Sequence, residues 1–307
     1  MREKLGICQW FHYQDYAGVE MAVALLRELG IRHLRTGISW ADYLRPQGKD
    51  WYDWQMAALS EFEVLLSVWH TPPSLSERGT CASPPLRLQD YADFIDLMIT
   101  QYGDRFTHLE LWNEPNNRYK WDFPQCDPAW EKFGMMVGMA AYWARTRGKP
   151  TVLGGMIPVD PQWLALIVKY GVLAEIDVVA IHGFPEMWHD GCNWEWYEHW
   201  DGWETKLSRI QAQVSGRPIW ITETGLSTWE TGHQTTSRLD LQCHLLEAAA
   251  AAPTERVYWY SLIDLDPDRD AIEGFHVDEH EYHMGLVQAD GHQKPAFEHF
   301  RRLLQQN

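Results

Sequence analysis

Long apolar runs are missing from this 307-residue chain; none approaches the roughly 20 residues that cross a bilayer. The N-terminus, MREKLGICQWFHYQD, starts basic but carries no apolar h-region and no small-residue cleavage site, so no signal peptide is expected. Positive charge is scarce: 26 Lys and Arg stand against 43 Asp and Glu, a net −17. That balance argues against a broad basic surface for nucleic acid or anionic lipid. Cysteine is sparse too, five residues with no C-x-x-C pair. Reduced thiols and a cytoplasmic location are the expectation. Cys81, Cys126 and Cys192 fall in predicted loops, which leaves a disulfide open for an exported chain. Also absent are G-x-G-x-x-G, the Walker G-x-x-x-x-G-K-[ST] and the G-x-S-x-G elbow. No dinucleotide, nucleotide or other cofactor is implied.

What is present is globular: 45% hydrophobic and 22% charged residues exclude a disordered chain. Tryptophan is the outlier, with 18 copies. Trp10, Trp40, Trp69, Trp112, Trp220 and Trp259 lie at or near predicted strand ends, and Trp188, Trp194, Trp196, Trp200 and Trp203 crowd one stretch. Core filling is one reading. The other is a ligand with alternating apolar and hydroxyl surfaces, such as a sugar ring, because several of these Trp stand among Asp, Glu, His and Asn.

Short β-rich runs recur with helical patterns between them. The strands read as LGICQW (5–10), RHLRTG (32–37), VLLSVW (64–69), HLELW (108–112), TVLGGM (151–156), DVVAIH (177–182), PIWITET (218–224) and RVYWYSL (256–262). Helices are expected over 19–30 and 88–103, each closed by a left-handed glycine, Gly30 and Gly103. Others run over about 53–61, 127–147, 161–170, 195–214, 235–251 and 295–304, with Pro161 and Pro295 in first turns. Eight such units predict an α/β fold, a (β/α)8 TIM barrel, as one catalytic domain over residues 1–307. A doubly wound sheet is the rival, but the first strand runs into QWFHYQDYAG without a glycine-rich loop.

In such a barrel the site lies at the C-terminal ends of the strands. Reading the polar residue at each end gives Arg35, His70, Asn113 with Glu114, His182 and Glu223, plus the aromatic Trp259 on the last strand. Two carboxylates across a pocket suit acetal hydrolysis, one donating a proton and one attacking the anomeric carbon. Arg35 would keep Glu223 ionised, and an apolar Trp wall would push Glu114 up. A lone rim Glu is more simply a salt-bridge partner; the pair, with Arg35 and Asn113, favours catalysis. His70 and His182 read as pocket lining. His276, His280 and His283 have helix-compatible spacing, but their segment is polar all round and expected to be a loop, so no metal is assigned.

With those residues in hand, the chain resembles a clan A retaining glycoside hydrolase, most closely glycoside hydrolase family 39, which includes β-xylosidases and α-L-iduronidases. The resemblance rests on LELWNEPN (109–116) and WITETG (220–225) and follows the whole barrel order. It implies Glu114 as acid/base, Glu223 as nucleophile, Asn113 on the sugar 2-hydroxyl, and matching roles for Arg35 and Trp259. It also implies a non-proline cis peptide at Trp259–Tyr260. Where many clan members carry His-x-Tyr on strand 6, this chain reads AIHGFP, with Phe184 for the Tyr. The expected partner is a glycoside, oligosaccharide or polysaccharide, with the two carboxyl groups about 5–5.5 Å apart. Two other readings stand beside it: a non-catalytic carbohydrate-binding barrel, and a metal-dependent barrel hydrolase, for which the first strand offers only His12.

Overall fold

A computed structural model describes residues 1–185, 202–230, 237–272, 274, 276 and 278–306. Eight parallel strands close a barrel in sequence order: β1 (Leu5–Cys8), β2 (His33–Ser39), β3 (Glu63–Trp69), β4 (His108–Leu111), β5 (Thr151–Met156), β6 (Val178–His182), β7 (Ile219–Thr224) and β8 (Val257–Tyr260). Closure is made by β1 against β8, from Leu5 opposite Val257 to Cys8 opposite Tyr260. The helices between and after them are α1 (Tyr16–Leu29), α2 (Trp40–Tyr43), α3 (Gly48–Ala58), α4 (Gln89–Tyr102), α5 (Phe123–Cys126), α6 (Glu131–Thr146), α7 (Pro161–Lys169), α8 (Trp203–Gln211), α9 (Arg238–Ala251) and α10 (Pro295–Gln305). No helix among the described residues is long and apolar enough to cross a membrane.

Strand alternation divides the apolar residues into two cores. Ile7, Leu34, Leu66, Leu109, Val179, Ile221 and Trp259 point outward and pack under the helices. Cys8, Leu65, Val152, Ala180, Trp220, Tyr258 and Tyr260 point inward and fill the barrel. Both faces of each strand are buried, so the strand sequences read as near-continuous apolar runs.

Local chemistry sets the helix ends. The Asp15 side chain accepts from Gly18 N at 3.1 Å and starts α1, and Gly30 ends it at φ 73°. Asp160 caps α7 through the amides of Gln162 and Trp163, with Pro161 in the first turn. Gly103 differs from the expected left-handed stop: at φ −52° it continues right-handed into a tight turn over Gly103–Arg105, which delivers Phe106 to the core. The helix expected at 53–61 begins earlier, at Gly48, because Gln47 takes the left-handed conformation that starts it (φ 64°). Cys8, Cys81, Cys126 and Cys243 are free thiols, Cys126 in the short helix α5 instead of a loop; Cys192 lies outside the described residues.

Candidate active site

Two departures from regular strand geometry build the site. On β4, Leu109 faces out and Glu110 faces in, so strict alternation would aim Trp112 inward. Instead Trp112 turns left-handed (φ 72°) and packs outside the barrel against Tyr91 and Trp121, at ring distances of 5.7 and 5.2 Å. That turn lets Asn113 and Glu114 swing into the barrel mouth, Glu114 also at positive φ (45°). Non-glycine residues in this region are costly and are held there by their surroundings. On β7, Trp220 faces in and Ile221 out; Thr222 and Glu223 then both face in, because the ladders slip between Ile181 and His182 and between Ile221 and Thr224. Such a bulge re-aims a side chain that a regular strand would bury outside.

Arg35, fully buried on β2, ties the two strands together. It donates to Glu110 Oε2 from Nε at 2.7 Å, to Asn113 Oδ1 from Nη2 at 2.8 Å, and to Glu223 Oε1 from Nη1, while Nη2 also forms an ion pair with Glu110 Oε2 at 2.6 Å. Burial alone would weaken its charge, but Glu110, Cys8 and Glu223 outweigh that and hold it a firm cation. Trp10 Nε1 donates to the same Glu223 oxygen at 3.1 Å, and the Cys8 thiol lies 3.8 Å from it. Trp10 reaches this position by lying over Gly37, where a Cβ would stand 2.1 Å from its ring.

His182 sits between the carboxylates. Its Nδ1 is 3.0 Å from Glu114 Oε1 and 3.6 Å from Glu223 Oε2, and its Nε2 is 3.0 Å from Thr222 Oγ1. One ligand atom each from Glu114, His182 and Glu223 all fall within 4.8 Å of one another, so the two carboxylates are neighbours across the barrel mouth. The ring packs against Gly155, whose missing side chain provides the space.

The protonation logic of Glu114 is the reverse of the sequence expectation. Burial does push its carboxyl up. The His182 bond and charge, the Lys120 ammonium and the Asn117 bond at 3.0 Å together win, and Glu114 is held below its ordinary value. Nothing in the motifs singled out Lys120; it is buried, with its ammonium 4.9 Å over the Trp69 ring. Trp69 in turn lies 5.7 Å from Trp10, so an aromatic wall lines this side.

Of the seven residues expected, Arg35, Asn113, Glu114, His182 and Glu223 come together. His70 is beside them on the rim at φ 64°, bonded through Nδ1 to Ser39 Oγ at 3.4 Å. Burial, then the Lys120 charge, lowers it to about 3, so it is a neutral ring. Trp259 is not in the site. β8 has no kink before Tyr260, so Trp259 obeys alternation and lies in the outer core, and Tyr260 takes the inward place. The non-proline cis bond likewise falls at Tyr260–Ser261 and not at Trp259–Tyr260, after a ladder that runs through Tyr260. In the Trp-rich stretch, Trp188, Trp194, Trp196 and Trp200 lie outside the described residues, and Trp203, the first residue of α8, is buried in the outer core. His276 pairs with Glu279 at 3.0 Å, His280 with Asp278 at 2.8 Å, and His283 stacks on Trp229; the three do not converge. Among the described residues, only Glu114, His182 and Glu223 cluster closely enough to chelate. Sequence reasoning missed Glu110 and Trp10 as site residues; for Glu110 the signal was there, an acidic residue at an inward position of an apolar strand.

No protein-family model matches the chain. It is 25% identical over 154 residues to "Beta-glucosidase 10" of Oryza sativa subsp. japonica, a match covering 46% of this chain and 26% of the rice protein. The chain therefore spans about a quarter of that relative's length. Its fold is that of glycoside hydrolase barrels. It superposes on a family 39 β-xylosidase from Caulobacter crescentus with TM-score 0.67 and 18% identity, covering 98% of this chain and 70% of that one. The family 39 enzyme from Xanthomonas axonopodis pv. citri gives 0.68 and 18%, covering 98% and 66%.

Proposed function

We propose that this protein is a retaining glycoside hydrolase acting on a β-linked glycoside. The observation that carries the reading is the carboxylate pair. Oxygens of Glu114 and Glu223 within 4.8 Å fit the ~5–5.5 Å carboxyl spacing of double displacement, and are too close for a water to enter as inversion requires.

Glu223 Oε1 is held by Arg35 and Trp10, which leaves Oε2 to attack. The Oε2–C1 bond forms as the glycosidic C1–O bond breaks, and the leaving oxygen takes a proton from Glu114. A water then attacks C1, Glu114 takes its proton, and Oε2 leaves. Glu114, held at 3.0 Å from His182 Nδ1, is the carboxyl placed to exchange that proton. Asn113 accepts from Arg35 through Oδ1, so its amide NH2 is turned to a sugar hydroxyl.

A metal-dependent hydrolase has one observation in its favour, the chelating geometry of Glu114, His182 and Glu223. The Arg35 guanidinium bonded to Glu223 opposes a second cation there. A chelator arm separates the two readings, since the proposed mechanism is indifferent to it.

Azide tests the division of roles. Glu223→Ala should abolish turnover of every glycoside, and azide should then attack the substrate directly and give the inverted glycosyl azide. Glu114→Ala should keep its first step with an activated aryl leaving group, lose unactivated substrates, and yield with azide a glycosyl azide of retained configuration. NMR of the two products decides it: exchanged configurations reverse the roles, a fully active Glu223→Ala removes this site from the chemistry, and a wild type that turns over no glycoside leaves the non-catalytic carbohydrate-binding barrel.

A further inference from the structure

A concavity separate from the carboxylate pair lies among the loops that follow β7 and β8. It has a volume of about 740 Å³ and is lined by the loop after β7, the loop after β8 and Leu239 in the first turn of α9. All of these follow the C-terminal ends of strands, so the cavity opens on the same rim as Glu114 and Glu223. Thr228, one of its walls, is five residues from Glu223, which limits their separation to about 18 Å.

Its lining is rich in carboxylates. Glu230, Asp264, Asp266, Asp268 and Asp290 all face it, and ionised carboxylates only accept hydrogen bonds. The ammonium of Lys294 is already committed, at 2.7 Å to Asp264 Oδ1, 2.9 Å to Thr228 Oγ1 and 3.1 Å to the His283 carbonyl. The carboxylates are spread around the walls; none of them belongs to a chelating cluster among the described residues, so they do not define a single-ion site. Trp229 supplies a flat apolar face. It is 37% exposed and is backed by the His283 ring, stacked at 4.9 Å and 21°. A ligand that fits has an apolar ring face and many hydroxyl donors at its edge. The turn carrying His283 also touches the barrel interior, through the bond from the Tyr260 hydroxyl to Glu281.

We propose that this cavity is a second saccharide subsite, seating a pyranose ring of the same glycan against Trp229 while another ring of that chain is cleaved. The proposal rests on the glycosidase reading above. It makes the natural substrate an oligosaccharide and gives Trp229, together with the surrounding carboxylates, a part in selecting it.

The test compares wild type, Trp229→Ala and Trp229→Phe in two arms. In the kinetic arm, kcat/KM is measured on 4-nitrophenyl β-D-xyloside and β-D-glucoside and on xylotetraose and cellotetraose. The oligosaccharide-to-aryl-glycoside ratio should fall tenfold or more in Trp229→Ala and be largely restored in Trp229→Phe, which keeps a flat ring. In the binding arm, saturation-transfer NMR and tryptophan fluorescence follow xylotetraose and cellotetraose on Glu223→Ala with and without Trp229→Ala; the second substitution should abolish the Trp229 response and weaken binding. An unchanged ratio with unchanged binding overturns the subsite. If wild type cleaves no glycoside, the glycosidase reading fails, and the binding arm still decides the subsite: loss of binding with Trp229→Ala upholds it, and no binding to either protein sinks it.

Discussion

Glu110 accepts a hydrogen bond from Arg35 Nε through Oε2, which also pairs with Nη2 as an ion pair, and its Oε1 has no partner among the described residues. One guanidinium thus serves two buried carboxylates, Glu110 behind and Glu223 in front. Sharing dilutes the positive charge felt by Glu223 and leaves it more nucleophilic than a one-to-one pair would. Glu110→Gln keeps an acceptor for Arg35 and removes the charge, so Arg35 acts on Glu223 alone. The expected outcome is a folded protein whose kcat on aryl glycosides drops by about tenfold or more, with KM little changed. Equal kcat in the two proteins would show that the sharing has no catalytic consequence. Arg35 itself is a poor candidate for conservative exchange. Lysine has no planar fork to hold Glu110, Asn113 and Glu223 at once, and removing one partner of a buried ion pair costs roughly 3–5 kcal/mol.

Strands β5 and β6 meet at Gly155 and His182. A Cβ at Gly155 would stand 2.1 Å from His182 Nε2 and 2.2 Å from Cδ2, well inside any van der Waals contact. Gly155→Ala must therefore push the ring by an ångström or more, breaking its contacts to Thr222 and Glu114 together. We expect a stability loss of about 1–3 kcal/mol from overpacking. Activity on unactivated glycosides should fall by roughly 100-fold, the scale of a 1 Å misplacement in a catalytic group. Paired denaturant titration and kinetics measure both; a variant that loses stability but keeps full activity would free His182 from any positioning role.

For the molecule as a whole, two titratable groups make stability respond to pH in opposite senses. His70 is lowered on folding to about 3, so its contribution is present above its unfolded value near 6.5 and is lost as pH falls toward 3. Asp264 is raised to about 6, chiefly by burial and against the pull of Lys294, so its contribution is present below its unfolded value near 3.8 and is lost as pH rises through about 6. The His70 shift amounts to up to about 5 kcal/mol and the Asp264 shift to up to about 3 kcal/mol, and between pH 6 and pH 4 they offset one another. His70→Gln should gain stability, relative to wild type, on acidification from pH 7 to pH 4, and Asp264→Asn should lose it. Guanidinium unfolding at the two pH values reads the slopes; parallel slopes in all three proteins would rule out both assignments.

The barrel was legible in the sequence because a fully enclosed parallel sheet demands apolar strands, and its eight runs, from LGIC to VYWY, stand out between amphipathic helices. TVLGGM is the strand Thr151–Met156 residue for residue, and Gly30 closes α1 as its position before a strand requires. The polar residues at strand ends were equally visible, since in a barrel those ends share one rim. Which way each side chain points was not. Direction depends on single backbone irregularities: a left-handed Trp112 that turns Glu114 inward, a slipped ladder that turns Glu223 inward, and a regular β8 that leaves Trp259 outside. These arise where neighbouring strands press on each other, and one strand's sequence carries no record of that pressure. The protonation of Glu114 was decided in the same way. Burial raises it and its sequence neighbours Asn117 and Lys120 help to lower it, but the His182 ring, 68 residues away along the chain, leads the contacts that lower it.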